Sequence, residues 1–457
     1  MKQTSPDTAL ASAVRKTSRR LIPFLCLIYA LNYLDRVNVG FAADGMKSDL
    51  GLTAAAFGLG AGLFFIGYCL FEFPSNLMMH KVGARLWIAR IMISWGALAA
   101  AMSAVQGETS FYVMRILLGI SEAGLLPGVI LYLTYWFPAE YRGRLTAQFY
   151  LALPLSIVIG APLSSWIISA TDGLFGLSGW RFMFFVQGLP AMLIGIAVLF
   201  LLPNKPHEAK WLTPGELSAL EGALARESDE AQAHGTTQLR KALRDYRIYL
   251  MGLILFSTVF GIYAFSFFMP QVVNDFEASF GTELTSVQTG FMTAIPFAVA
   301  AVAMWLVGVN SDRTGERVKH SMVALTVGAV GILTALYATS PQLELVGLSI
   351  AVASALCALP ILWQIPKVFL GGAAAAGGIG LIGAMSNTAG FFAPTVTGAL
   401  RESSGSFDSS MITIAASMLL GAALLLAVGR TTAFKPRSAS SATDPQKALS
   451  DATEGRR

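Results

Sequence analysis

The chain has 457 residues, of which 54% are hydrophobic and only 13% are charged. A soluble protein carries roughly 25% charged residues, so a deficit spread over the whole length excludes a string of ordinary soluble domains. The formal net charge is +5, but the basic residues gather at the ends of apolar runs, which argues against a nucleic-acid face and makes them a topology signal.

Residues 1–18 are rich in Ser, Ala, Thr and charge and read as a disordered cytoplasmic tail. Arg15, Lys16, Arg19 and Arg20 lead into the first of about twelve apolar runs, each near the roughly 20 residues that span a bilayer. The runs fall near 21–42, 54–78, 85–105, 110–133, 145–170, 180–202, 248–273, 287–309, 321–339, 343–364, 371–400 and 409–429. The first is too long for a signal-peptide core and no small-residue cleavage site follows it. The runs exceed the length of a barrel strand and do not alternate. With the N-terminus in the cytoplasm, Lys81, Arg85, Arg90, Arg142, Arg144, Arg313, Arg317, Lys319 and Lys367 all fall inside. The outer loops hold mostly acids, among them Asp44, Asp49, Asp172 and Asp275. This asymmetry predicts a multi-pass protein of a bacterial inner membrane with both termini cytoplasmic.

The longest polar segment, 203–246, separates six runs from six. Thr213-Pro214-Gly215-Glu216 within it has the form of a capping box with Pro at the first helical position, which predicts a short surface helix over about 214–227. The expected organisation is a six-helix bundle over 19–202, the central loop, a second bundle over 247–430 and a disordered cytoplasmic tail over 431–457. The halves repeat: His80-Lys81-Val82-Gly83-Ala84-Arg85 and Asp312-Arg313-Thr314-Gly315-Glu316-Arg317 stand at the same offset as Ala161-Pro162 and Ala393-Pro394. The fold class is therefore an all-α membrane protein of twelve helices, two bundles related by a pseudo-two-fold axis, an architecture of transporters.

The loop pattern and this layout resemble the major facilitator superfamily. Asn32-Tyr33-Leu34-Asp35-Arg36-Val37-Asn38, Pro74-Ser75-Asn76, Trp87-Ile88-Ala89-Arg90, Arg115 and Gly119-Ile120-Ser121-Glu122-Ala123 resemble its anion:cation symporter family. The first half is most similar to bacterial tartrate, phthalate and hydroxyphenylacetate permeases. The superfamily's first-half loop usually has an acid where this chain has His80. Only the second-half copy keeps one, Asp312, so Asp312 and Arg313 are the loop's candidate gating charges.

An ionisable side chain in a membrane helix costs about 2.5–3.5 kcal/mol on insertion scales, so it marks a site. Five such residues occur, Asp35, Arg36, Glu72, Arg115 and Glu122, all in helices one, two and four. At about 1.5 Å per residue, Asp35 and Arg115 lie level and Glu122 lies about two turns deeper on Arg115's face. Arg36 points about 100° away from Asp35 and can face the cavity separately. Burial and a nearby guanidinium act oppositely on a carboxyl, so a moving arginine contact can load and release a proton. Asp35 and Glu122 are read as the protonatable pair, Arg115 as the partner that switches between them, and Arg36 as the fork for a substrate carboxylate. The resemblance implies the same roles. A static ion-pair network between helices one and four is the competing reading.

Tyr68, where family members place a tyrosine, is a candidate substrate donor. Glu72, one turn on, is a gate contact to a loop arginine or a proton site. Gln148 and Tyr150 of helix five and Tyr263, Trp363, Gln364 and Asn387 of the second half are neutral candidates for substrate binding. Cys26, Cys69 and Cys357 read as small core residues. No phosphate-binding Gly-rich loop, metalloprotease or serine-elbow motif occurs, which argues against ATP drive and enzymatic activity. The expected activity is proton-coupled symport of a small organic anion by a monomer in the lipid bilayer, with the proton as coupling ion and no cofactor, metal or nucleic acid. An anion exchanger and a non-transporting sensor are the alternatives.

Overall fold

The computed structural model describes residues 6–232, 244–366 and 372–430. Lys367, the tail 431–457 and the side chains of Arg144, Glu277 and Asp312 lie outside the described residues. Hydrocarbon offers backbone groups no partner, so a chain this apolar folds into helices that close their own hydrogen bonds. The first bundle contains α1 (Pro6–Leu50), α2 (Ala54–Val82), α3 (Ala84–Ala101), α4 (Glu108–Glu122), α5 (Leu125–Trp136), α6 (Ala139–Tyr150), α7 (Ala152–Thr171) and α8 (Gly179–Leu201). Helix α9 (Pro214–Gln232) follows in the central loop. The second bundle contains α10 (Tyr246–Asn274), α11 (Ser286–Thr314), α12 (Arg317–Leu336), α13 (Pro341–Leu362), α14 (Gly372–Asn387), α15 (Ala389–Ser404) and α16 (Asp408–Arg430).

Among the described residues, ten helical runs are long and apolar enough to cross a membrane. Helix α1 and the joined pair α14–α15 bring the passes to twelve. Span four divides into α4 and α5 because Ala123 (ψ 131°) and left-handed Gly124 (φ 86°) interrupt the helix directly after Glu122. The sequence reading treats 110–133 as continuous; the single glycine that breaks it is not distinctive in a glycine-rich membrane segment. Span five begins at Ala139, upstream of the expected 145. Large apolar side chains such as Leu70, Phe73, Ile159, Phe200 and Trp305 are exposed around the bundles, as a lipid-covered perimeter requires.

The bundles meet along α2–α15, α7–α11 and α1–α10. The first two seams exchange under the pseudo-two-fold, and both close at the face away from the chain ends, here called the distal face. Closure depends on glycine. A Cβ on Gly398 would come within 2.5 Å of the Ala54 carbonyl oxygen, and one on Gly58 within 2.4 Å of the Pro394 carbonyl oxygen. At the other seam, a Cβ on Gly290 would meet Ser165 Oγ at 2.7 Å and the Ala161 carbonyl oxygen at 2.8 Å.

The tail expected to be disordered is helical from Pro6, and α1 has 45 residues. At about 1.5 Å per residue that is roughly twice the thickness of the hydrocarbon core. Its overhang is held by α9. Glu216 accepts from Ser12 Oγ (2.7 Å) and Lys16 Nζ (2.9 Å) as well as from its own cap at Thr213. Arg20 lies 5.1 Å above the Trp211 ring, which stacks on Trp136. Glu227 binds Arg142 and the Ala139 amide, tying the far part of α9 to α6. A composition-based reading sees no reason for helix in 6–18, because the stabilising partner is 200 residues away.

Two outcomes follow from this packing. Gly398→Val should hold the α2–α15 seam apart, and a cysteine introduced at Thr395 should then react several-fold faster with a membrane-impermeant maleimide. Burial pushes Glu216 up, but Lys16 and the hydroxyls of Ser12 and Thr213 outweigh it and hold the carboxyl at about 2, against an ordinary value of 4.5. A depressed carboxyl stabilises the folded form above its unfolded value and loses that contribution as pH falls through the folded one. Protection against hydrogen exchange in 6–20, corrected for intrinsic rate, should therefore stay high above pH 4.5 and fall as pH drops toward about 2. Glu216→Gln should remove most of that dependence.

Candidate functional site

The polar residues of the first bundle form two adjoining groups where α1, α2 and α4 meet. In the first, Arg36 Nε donates to Glu122 Oε2 at 3.0 Å, and Asn32 Nδ2 donates to the same oxygen at 2.6 Å. Asn32 and Arg36 are four residues apart and share a face of α1. Glu122 is wholly buried and Arg36 is 4% exposed. The guanidinium lies 4.5 Å above the Tyr68 ring and 5.3 Å from that of Phe64, both on α2, in the geometry of cation–π contact. Tyr263 of α10 completes the enclosure, its ring edge-on to Phe65 at 4.6 Å and its hydroxyl toward Arg36. Among the described residues, Arg36 Nη2 and Glu122 Oε1 have no hydrogen-bond partner.

In the second group, Asp35 Oδ1 accepts from Asn38 Nδ2 at 3.2 Å, which also donates to Gln187 Oε1 at 3.2 Å. Gln187 Nε2 donates to Ser164 Oγ at 2.8 Å. Arg115 is fully buried on α4, 4.9 Å from the Phe64 ring, and donates to the carbonyls of Gly60 (3.4 Å) and Ala61 (3.2 Å).

This pairing differs from the expected one. Arg36 binds Glu122 instead of facing the cavity apart from the acids. Among the described residues, neither Asp35 nor Arg115 is in an ion pair. Helical spacing places side chains on faces but not the direction a long guanidinium takes, and Arg115 finds carbonyls beside Gly60, where the missing side chain leaves them open. Among the described residues Glu72 meets no loop arginine; it accepts from Asn387 Nδ2 at 3.4 Å across the two bundles.

The neutral candidates separate. Tyr68 and Tyr263 stand at Arg36. Tyr150 is half-buried, edge-on to Tyr29. Gln148 is exposed. Trp363 packs near Gly383 at the end of α13, and the Gln364 carbonyl accepts from Arg317. Arg313 is exposed at the end of α11. Asn32, Asn38, Gln187 and Ser164 also belong to these groups, outside the expected site residues. The available signal was an amide or hydroxyl in each of several apolar runs, which is costly unless partnered. Elsewhere, a cavity of about 380 Å³ lies at the distal face between α1, α7, α10 and α11, lined by Asp44, Ser165, Asn274 and Thr289.

Two helical bundles with charge enclosed where α1, α2 and α4 meet define a secondary transporter of the membrane. The chain matches the Major Facilitator Superfamily over residues 25–376 and belongs to it. It is 42% identical over 424 residues to a protein of Agrobacterium vitis provisionally named a tartrate transporter, covering 92% of each chain. It is 40% identical over 424 residues to NicT of Pseudomonas putida, provisionally named a metabolite transport protein, covering 92% of this chain and 95% of NicT. Its fold is that of a bacterial homologue of the human lysosomal transporter Spinster in an inward-facing, occupied conformation (TM-score 0.72, 16% identity, 90% and 96% of the two chains). The protein is thus a transporter and not an enzyme.

Removing one partner of a buried ion pair leaves an uncompensated charge and costs about 3–5 kcal/mol, whereas replacing both with apolar groups is close to neutral. Arg36→Met should therefore lower the thermal midpoint of the purified protein markedly. Arg36→Met combined with Glu122→Leu should recover most of the loss.

Proposed function

We propose that this protein is a proton-coupled symporter that takes a small organic anion across the bacterial inner membrane by alternating access, working as a monomer. One observation carries the reading. Arg36 is enclosed between Tyr68 and Tyr263, and its guanidinium has one nitrogen tied to Glu122 and another without a partner. A substrate carboxylate meets a fork already oriented for it, and Tyr68 and Tyr263 line its approach.

Coupling follows from charge balance. With no substrate, Glu122 is the counter-charge to Arg36. A carboxylate on Arg36 takes over that part and leaves Glu122 as an excess buried negative charge, which a proton removes. Anion and proton thereby favour each other's binding, as a two-ligand linkage requires. Asp35, beside the same helices, is the second proton site, with Arg115 as the cation within reach of both acids. Closed distal seams together with basic residues on the opposite face support a state open to the cytoplasm, with the Glu72–Asn387 contact left to gate that side. The relatives named for tartrate and metabolite transport support a carboxylate as cargo.

In proteoliposomes with labelled tartrate as the probe, an inward proton gradient should drive accumulation. Glu122→Gln should abolish accumulation and retain counterflow exchange, and Arg36→Ala should abolish both. Counterflow without any response to a proton gradient in the unmodified protein would make it an exchanger instead.

A further inference from the structure

Among the described residues, two buried polar atoms beside Asp35 have no hydrogen-bond partner, Asn38 Oδ1 and Arg115 Nη1, and Trp95 faces the Asp35 carboxyl. Buried polar groups are nearly always satisfied, so a cluster of orphans beside one carboxyl calls for an explanation. The chain of bonds from Asp35 supplies it. A carboxylate only accepts, so it orients the Asn38 amide with nitrogen toward Asp35. That nitrogen uses its second hydrogen on Gln187 Oε1, which leaves Gln187 Nε2 to donate to Ser164 Oγ. An ionised Asp35 thus fixes the direction of every bond in the path.

A protonated Asp35 reverses the preference. Its hydroxyl needs an acceptor, and Asn38 Oδ1, wholly buried and unpartnered three residues along the same face of α1, is the one at hand. Meeting it requires the Asn38 amide to turn over, which takes Nδ2 away from Gln187 and frees Gln187 from its present orientation toward Ser164. Ser164 is on α7, next to Ser165, which packs against Gly290 of α11 in the distal seam. The charged neighbours of Asp35 are Glu122 and Arg115 from α4. Helices α3, α7 and α8 present Trp95, Ser164 and Gln187, none of which titrates, so the relay carries hydrogen-bond direction and not charge.

We propose that Asn38 reads the protonation state of Asp35 by an amide turnover, and that Gln187 and Ser164 are positioning residues that pass it to the distal seam between α7 and α11. This rests on the reading of Asp35 as a proton site.

The test needs no substrate. Full-length protein in nanodiscs is compared in acidic and alkaline buffer by hydrogen–deuterium exchange, corrected for intrinsic rate, over the segments holding Ala161–Ser165 and Gly290. The unmodified protein should show a pH-dependent difference in protection there, which Asp35→Asn, Gln187→Met and Ser164→Ala should each lose and Ser164→Thr should keep. A full difference in Gln187→Met and Ser164→Ala, with Asp35→Asn silent, would overturn the relay while leaving Asp35 as the proton site. A full difference in Asp35→Asn, or none in the unmodified protein, would remove both. If Gln187→Met does not fold, the two Ser164 variants decide the matter.

Discussion

A guanidinium enclosed among hydrocarbon and aromatic rings needs a counter-charge, and the Arg36–Glu122 pair is the constraint on which the first bundle depends. Each ion brings a desolvation penalty of several kcal/mol, and a pair offsets it only with good geometry and further hydrogen bonds. Here Asn32 bonds the same carboxylate oxygen, Tyr68 and Phe64 flank the cation, and α4 ends where Glu122 leaves it. The orphan atoms on each partner show a network satisfied only in part. Such a network is costly as pure structure, which makes it a place where a ligand or a proton changes the energy by a useful amount.

The second constraint is close approach between the bundles. In lipid no hydrophobic effect pulls helices together, so packing and backbone proximity have to hold the seams. Gly58 against Gly398 and Gly290 against Ala161 and Ser165 bring backbones close enough for dispersion to act over a long edge. The glycine contacts themselves are apolar, and the charge at the α2–α15 seam sits at its exposed edge, where Glu402 accepts from the Ala55 amide and meets water when the seam parts. A rocking motion between rigid bundles, as proposed for this transporter, needs interfaces of that kind.

The bundles also differ in their burden. Ionisable residues sit between α1, α2 and α4, while the second bundle meets them with Tyr263 and Asn387. The overhang of α1 with α9 braces the charged bundle through Glu216 and Glu227. Among the described residues, the buried ion pair thus belongs to the first bundle, and the second bundle faces it with neutral side chains.

The number of membrane passes, the duplication, the surface helix after Thr213 and the five candidate charges were all legible in the chain, because hydrophobic length, basic-residue placement and capping chemistry are local properties. Partner choice was not. Whether Arg36 turns to Glu122 or away, whether Arg115 finds a carboxylate or the carbonyls beside Gly60, and whether residues 6–18 coil freely or lie against α9 depend on groups tens to hundreds of positions away. Asn38 and Gln187 show the same division: each is visible as an amide in an apolar run, but only the packing of α1 against α8 makes them one hydrogen-bonded path. Sequence by itself determined which side chains hydrocarbon makes too expensive to leave idle; the tertiary structure decided which of them satisfy one another, because a long side chain's direction is set by the neighbours that enclose it.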